Sequence, residues 1–334
     1  MPTPSKILTI LLFVFTLNCG TKQPIQLSGE TMGTTYQITL INHSNKKVDT
    51  IQLQGKLDSL LIEVSNIFST YIKTSELSRF NDNLSTMPIN ISSEFSEVYL
   101  KAENISISSD GSFDFTVLPL IKLWGFGSDF TISKIPSDEK IKEVLYFSGI
   151  DKLEYEDNNL RKINKQTQID FSAIAKGWGV DQVALLLDTL GFENYMVEIG
   201  GEIMVSGFNQ YYEKWTIGIP VPENLNSKLY TQIEITNLAV ATSGSYNNYF
   251  TLEDIDYSHI LDPITGYPIK HDLVSATIVA LDCATADAIA TGVMVKGFDE
   301  GLKWVNTLPN VECLLVKITD TGKYIKGKSS GFSY

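Results

Sequence analysis

Three histidines, three cysteines and 26 basic residues in 334 positions rule out several kinds of chemistry. Against 39 Asp and Glu, those 26 Lys and Arg leave a formal net charge of −13. Such a chain has no basic footprint for a phosphate backbone, which sets nucleic acid aside as a partner. An anionic ligand would need a local cation, a helix N-terminus or a metal. Beside Cys19 there are only Cys283 and Cys313, both in or next to apolar stretches. Two thiols do not make a disulfide framework, and buried free thiols are the expectation. No repeat, low-complexity tract or Pro/Gly-rich linker divides the chain. What is present is an ordinary globular composition, 43% hydrophobic, long enough for a sizeable core.

The one long apolar run, residues 7–17 after Lys6, is too short to span a bilayer comfortably. It reads as an export signal, 1–18, that is removed. The "LNCG" that follows resembles a bacterial lipoprotein signal with Cys19 as the lipidated first residue, although Thr16 and Asn18 stand where Leu and a small residue are usual. A plain secretory signal with an incidental cysteine is the alternative. Residues 19–28 then read as a tether, and 29–334 as the folded domain.

Within that domain, "TTYQITL" (34–40) alternates as a strand does. Residues 48–68 carry Leu57, Leu60, Leu61, Val64 and Phe68 on one helical side. Helices are also expected over 92–106, 137–147, 172–190, 283–296 and about 299–307, with Gly191 stopping the one over 172–190. Strands are expected at 167–171, 195–206, 214–220, 229–236, 238–242 and 274–281. A hairpin turns at Asp157-Asn158-Asn159, and another closes the chain around Asp320 to Gly322. The order implies an α+β fold: one intimately packed domain with a mixed, mainly antiparallel sheet and flanking helices.

Three segments carry chemistry. In "CATADAIATG" (283–292), Asp287 and Thr291 lie four apart and share a helical face. A carboxylate and a hydroxyl among alanines suit a hard cation such as Mg²⁺, which takes oxygen ligands; a capping or surface Asp is the plainer reading of that pair alone. In "IDFSAIAKGWGVD" (169–181), Asp170 precedes a compact turn into a helix whose start favours anions, and Lys176 adds a point charge. That segment has no Walker-type loop, and a helix start packed by small residues explains it equally well. In "YSHILDPITGYPI" (257–269), His259 sits beside a turn and a carboxylate, as suits proton transfer, or else has a structural role. His43 reads as solvated and His271 as a loop residue.

Together these segments resemble the bacterial FAD:protein FMN transferases, the ApbE family. The resemblance runs in order through "GETMGTTYQI" (29–38), "FSTYIKTSELSRFN" (68–81), "GSFDFTVLPLIKLWGFG" (111–127), "IDFSAIAKGWGVD" (169–181), "YMVEIGGEI" (195–203), "ATSGSYNNYF" (241–250), "HILDPITGYPI" (259–269) and "ATADAIATGVMV" (284–295). It implies Mg²⁺ held by the Ala173 carbonyl with Asp287 and Thr291, a donor set of oxygens that also suits Mn²⁺. It implies flavin contacts at Met32, Tyr71, Ser112, Phe113, Asp114, Asp170, Lys176 and Leu261, with FAD as substrate. His259, Asp287 and Lys176 would be the catalytic set. The sequence departs from the family pattern at Phe115, where Pro is usual, at Ser172, where Gly is usual, and at Asn248, where a basic residue is common.

The implied reaction moves the FMN half of FAD onto a threonine hydroxyl of an acceptor protein and releases AMP. The implied acceptors are subunits of membrane redox complexes, such as the sodium-pumping NADH:quinone reductase or the Rnf complex, with a segment of the type Asp/Ser-Gly-Ala-Thr. Location agrees: an exported, lipid-anchored enzyme would meet their extracytoplasmic domains. Two other readings remain open at this point. An FAD pyrophosphatase would release free FMN and AMP from the same site, and a flavin-binding lipoprotein would bind FAD without chemistry.

Overall fold

The computed structural model describes residues 23–42, 47–126, 135–219, 231–244, 249–252 and 255–333. The expected export signal, Cys19, His43 and Asn248 lie outside them.

The chain opens with a hairpin, β1 (Ile25–Thr31) and β2 (Thr34–Leu40), turned by Met32 and Gly33 at φ 47° and 74°. The expected tether therefore gives way to sheet at Ile25. The alternation there is short: only Ile25 and Leu27 turn inward, against exposed Gln26 and Ser28. Gly29 faces Tyr36 across the pair, and a Cβ on Gly29 would lie 2.7 Å from the Tyr36 ring. The fully buried tyrosine thus packs on bare backbone.

Helix α1 (Thr50–Phe68) is capped by Asp49, whose carboxylate accepts from Gln52 N at 3.0 Å. It buries Leu53, Leu57, Leu61, Val64 and Phe68, each contributing about 1.5–3 kcal/mol on leaving water. Leu60, expected on that face, is only half-buried. Helix α2 (Glu76–Asp82), strand β3 (Ile89–Asn90) and α3 (Ser93–Ser108) follow. Glu76 accepts from Ser92 N at 2.7 Å and from Ser92 Oγ at 2.6 Å, tying the start of α2 to the start of α3.

Then come α4 (Leu118–Leu123), α5 (Asp138–Leu145), β4 (Leu153–Glu156) and β5 (Asn159–Lys162). Asp157 and Asn158 take φ 47° and 59° between those strands, the left-handed pair a tight hairpin needs. Helix α6 (Ala175–Thr189) precedes β6 (Tyr195–Ile199) and β7 (Glu202–Ser206). The single strand expected over 195–206 is therefore a hairpin, because Gly200 and Gly201 adopt φ 62° and 104°. Strands β8 (Trp215–Ile219), β9 (Thr231–Ile235), β10 (Leu238–Gly244), β11 (Tyr249–Leu252), β12 (Ile255–Ser258) and β13 (Leu273–Ala280) lead to α7 (Cys283–Lys296) and α8 (Phe298–Val305). A closing hairpin pairs β14 (Glu312–Ile318) with β15 (Tyr324–Lys328). Residues 322–329 spell Gly-x₄-Gly-Lys-Ser, yet they run along the edge strand β15 with no helix behind them. The letters alone make no phosphate cradle.

Eight strands form the main sheet in the order β1-β2-β6-β7-β10-β13-β14-β15, and each neighbouring pair is antiparallel. The α+β expectation is met. Successive residues of its centre feed opposite layers: on β10, Ala239 and Ala241 face the helices while Val240 faces the other side. Helix α7 packs over β10 and β13, and α6 over β6 and β7, with α1 beside it against β1. The β8–β9 ribbon covers the opposite face through Trp215, Ile217, Ile219, Ile233 and Ile235. Cys283 and Cys313 are both buried and free, as expected.

The strand expected at 167–171 does not form. That segment is extended, but its backbone bonds go elsewhere. Asn81 donates from Nδ2 to Ile169 O at 2.7 Å, and its Oδ1 accepts from Ile169 N at 2.7 Å. Asp170 N donates to Phe115 O at 2.7 Å. Alternating apolar residues read as a strand whether a strand or a side chain completes the ladder. Behind Asn81, the fully buried Lys162 donates to Asn81 O and Asn83 O at the end of α2, and burial lowers its pKa to about 8. Replacing Asn81 by Ala should leave two buried backbone groups of Ile169 unpaired. The expected loss is about 2–6 kcal/mol, since each of the two groups costs roughly 1–3, and urea unfolding of Asn81→Ala against the parent measures it.

Candidate active site

Helices α6 and α7 cross where only glycine fits. A Cβ on Gly177 would stand 2.4 Å from Cys283 O and 2.8 Å from Ala284 Cα. Four positions further along α6, Asp181 accepts from Cys283 N at 2.7 Å and Ala284 N at 2.9 Å, capping the start of α7. Burial nonetheless raises the Asp181 pKa, to about 7, with those two backbone bonds opposing. Ala284, Ala286, Ala288 and Ala290 are fully buried, and so the run of small residues is explained by close packing.

That crossing delivers Asp287 to the start of α6. Asp287 is only 3% exposed, and its Oδ2 accepts from Gly177 N at 3.2 Å. Lys176 Nζ lies 3.7 Å from the same oxygen and 3.0 Å from Glu202 Oε1. Burial by itself would lower the Lys176 pKa; the nearby Asp287 and Glu202 carboxylates outweigh it and hold the ammonium above its usual range. Burial and the Asp287 charge push Glu202 up to about 7, against the pull of Lys176.

These three residues line a cavity of about 690 Å³, within the range of a cofactor-sized site. Its walls bring together Tyr71, Ser112, Phe113, Asp114, Asp170, Ala173, Lys176, His259, Leu261, Asp287 and Thr291, residues drawn from separate stretches of the chain. Met32 is the exception: it does not line the cavity, and its Cε would lie 2.6 Å from a Cβ on Gly179, between α1 and α6.

Local chemistry holds each wall. After α3 the backbone turns at Asp110 and Gly111, φ 53° and 77°, and Ser109 Oγ accepts from Phe113 N at 3.1 Å. Asp114 accepts from Thr116 N and Oγ1, both at 2.7 Å, and burial raises its pKa against those bonds. Asp170 is likewise raised by burial, with Ser172 N donating to it at 2.6 Å. Phe115, where the family pattern has proline, stacks on Phe171 and meets Tyr99 edge-on. Tyr71 is 71% exposed at the mouth.

His259 and Leu261 reach the cavity on the strand-and-turn segment that follows β12. The carboxylate near His259 in sequence, Asp262, is a turn residue: it accepts from Ile264 N at 2.9 Å and Thr265 Oγ1 at 2.8 Å. Trp124 Nε1 fastens that turn to α4 through Gly266 O at 2.8 Å. His271 points elsewhere, its Nε2 2.6 Å from Met294 O.

Sequence reasoning missed Glu202, Asn81, Lys122 and Ser243, which also line the cavity. Thr291 Oγ1 lies 3.5 Å from Ser243 Oγ. Glu202 stood in the quoted "VEIGGEI", and the double glycine before it was the available signal of a hairpin end. Among the described residues no three His, Cys, Asp or Glu gather as a metal cluster. The donors at hand are oxygens only: the Asp287 carboxylate, the Thr291 hydroxyl and the backbone around Ala173. That chemistry fits a hard cation that keeps waters and phosphate oxygens, and it does not fit a zinc-type site.

Comparison with known proteins agrees in order and extent. The ApbE family profile matches residues 32–315. The FAD:protein FMN transferase of Vibrio cholerae is 42% identical over 309 residues, covering 92% of this chain and 92% of the relative. That of Haemophilus influenzae is 39% identical over 312 residues, covering 92% and 90%. The solved flavin transferase ApbE from Vibrio cholerae superposes with a TM-score of 0.86 at 40% identity, over 93% of this chain and 98% of that one. The apo flavinyl transferase ApbE of Pseudomonas stutzeri gives 0.85 at 30% identity, over 93% and 96%. Family profile, identity over nearly the whole length and shared fold all point one way, and the chain belongs to the ApbE family.

Proposed function

We propose that this protein is an FAD:protein FMN transferase that moves the FMN half of FAD onto a threonine hydroxyl of an acceptor protein and releases AMP. The observation that carries this reading is the single cavity that gathers Lys176, Asp287, Thr291, Ala173 and His259 behind the aromatic mouth at Tyr71. The family to which the chain belongs supports it.

In this reading the threonine oxygen attacks the FMN-side phosphorus as the bond from that phosphorus to the AMP oxygen breaks. His259 takes the hydroxyl proton. Lys176 meets charge on the pyrophosphate where it develops. Tyr71 stacks on the ring system, and Ser112, Phe113, Asp114, Asp170 and Leu261 shape its seat. The Ala173 carbonyl, Asp287 and Thr291 would hold Mg²⁺ or Mn²⁺, which when bound neutralises phosphate charge.

The acceptors we infer are flavin-carrying subunits of membrane redox complexes, of the sodium-pumping NADH:quinone reductase or Rnf type. The signal-like segment 1–18 followed by Cys19 supports export and a lipid anchor at the extracytoplasmic side of a membrane. Cells fed labelled palmitate should label the parent, whereas the Cys19→Ser variant should carry no label; a label on both would reject the anchor.

Incubation of the protein with FAD, Mg²⁺ and an acceptor domain should add one FMN to the acceptor, read by intact-mass spectrometry, with AMP in equal amount. Free FMN and AMP with an unmodified acceptor would make the protein a pyrophosphatase instead. Two variants should separate the roles. Asp287→Ala should abolish Mg²⁺-dependent AMP release in a folded protein. His259→Asn should slow transfer by about 10²–10⁴-fold, the usual worth of a general base, while FAD affinity and thermal stability stay near the parent's. Full transfer by a stable His259→Asn protein would remove that histidine from the mechanism.

A further inference from the structure

Glu202 has no part in the reaction above, yet its carboxylate is nearer to Lys176 than that of Asp287. Its Oε1 stands 3.0 Å from Lys176 Nζ, against 3.7 Å for Asp287 Oδ2. It lines the cavity, is 5% exposed, and its Oε2 meets no hydrogen-bond partner among the described residues. A buried carboxylate with one bare oxygen is costly unless its charge is matched. Among the described residues its charge is matched by one cation, Lys176. Its backbone is also firmly held, because Glu202 pairs with Ile199 to close the β6–β7 hairpin at Gly200 and Gly201.

The geometry explains why a second carboxylate is needed. Lys176 and Asp287 are brought together by the tight α6–α7 crossing, and an ammonium beside one buried carboxylate would pair with it directly. Such a pair would cover the oxygen that a cation requires. Glu202 approaches Lys176 from the sheet side and draws the ammonium away. We propose that Glu202 is a positioning residue that holds Lys176 off Asp287, which leaves the Asp287 carboxylate open to a divalent cation and the ammonium free to meet a pyrophosphate. This rests on the flavin-transfer reading for its purpose, but not for its test.

A rival account is that the Glu202 charge attracts the cation by its own field. A double-mutant cycle separates the two, because indirect action vanishes once the intermediary is gone. Mg²⁺ binding to the flavin-free protein would be measured by calorimetry for the parent, Glu202→Gln, Lys176→Met and the double variant. Glu202→Gln should weaken Mg²⁺ binding about tenfold, the lower end of the effect of groups that orient a ligand. In the Lys176→Met background the same change should leave Kd within about twofold, the error of additivity. Equal losses in both backgrounds, or no Mg²⁺ binding by the parent, would overturn the proposal.

Thermal unfolding supplies a second arm. Lys176→Met strands Glu202 as an unmatched buried charge, so adding Glu202→Gln should raise the Tm of that variant; a lower Tm would refute the pairing. Should Glu202→Gln fail to fold alone, recovery in the double variant supports the proposal and failure to recover rejects it. A glutamate serving only the fold would lower the Tm and leave both kcat and Mg²⁺ affinity of the folded protein unchanged, which would also reject it. A parent that moves no FMN is a separate result, read in the transfer assay, and it bears on the function alone.

Discussion

The site depends on one close approach. Helices α6 and α7 meet backbone to backbone at Gly177, where any Cβ would collide with Cys283 O and Ala284 Cα. From that contact follow the capping of α7 by Asp181, the alanine-rich face of α7 and the reach of Asp287 to Gly177 N. Helices packed through larger side chains stand 8–10 Å apart. At such a distance the Asp287 carboxylate would not lie beside the first turn of α6, and Lys176 would have no second anion to balance.

What the crossing assembles is an electrostatic problem solved with three groups. Two nearly buried carboxylates and one ammonium face a cavity in a chain whose net charge is −13. An acidic protein that handles a dianionic pyrophosphate must place its positive charge locally, because its long-range field is unfavourable. In the proposed reaction Lys176 is that local charge, and its two carboxylate neighbours keep it protonated against the desolvation of the site. The same surroundings account for the raised Asp170 and Asp114, whose burial is offset by bonds from Ser172 and Thr116.

Much of the framework was legible in the residues. The apolar spacing in 48–68, the helices expected over 92–106 and 137–147 and the alternation in 34–40 each report a local preference, and local preference agrees with the fold there. The errors occur where backbone bonds are completed by something outside the segment. Residues 167–171 look like a strand but are satisfied by Asn81 and Phe115. Residues 25–28 look like a polar tether but become a strand because β2 lies beside them. The stretch 195–206 hides a hairpin in two glycines.

By itself the sequence determined the type of chemistry at each segment: Asp287 with Thr291 on one helical face, Lys176 after a small-residue turn, His259 beside a turn. Those follow from residue identity and short-range periodicity, which need no knowledge of distant chain. Only the tertiary structure decided that these segments share one cavity, that Met32 does not line it, that Asp262 accepts from Ile264 and Thr265 of its own turn, and that Glu202 is the nearer partner of Lys176. Each is a contact between residues far apart in the chain or a competition for one hydrogen-bonding group, and such contacts are set by packing between elements rather than by any local pattern.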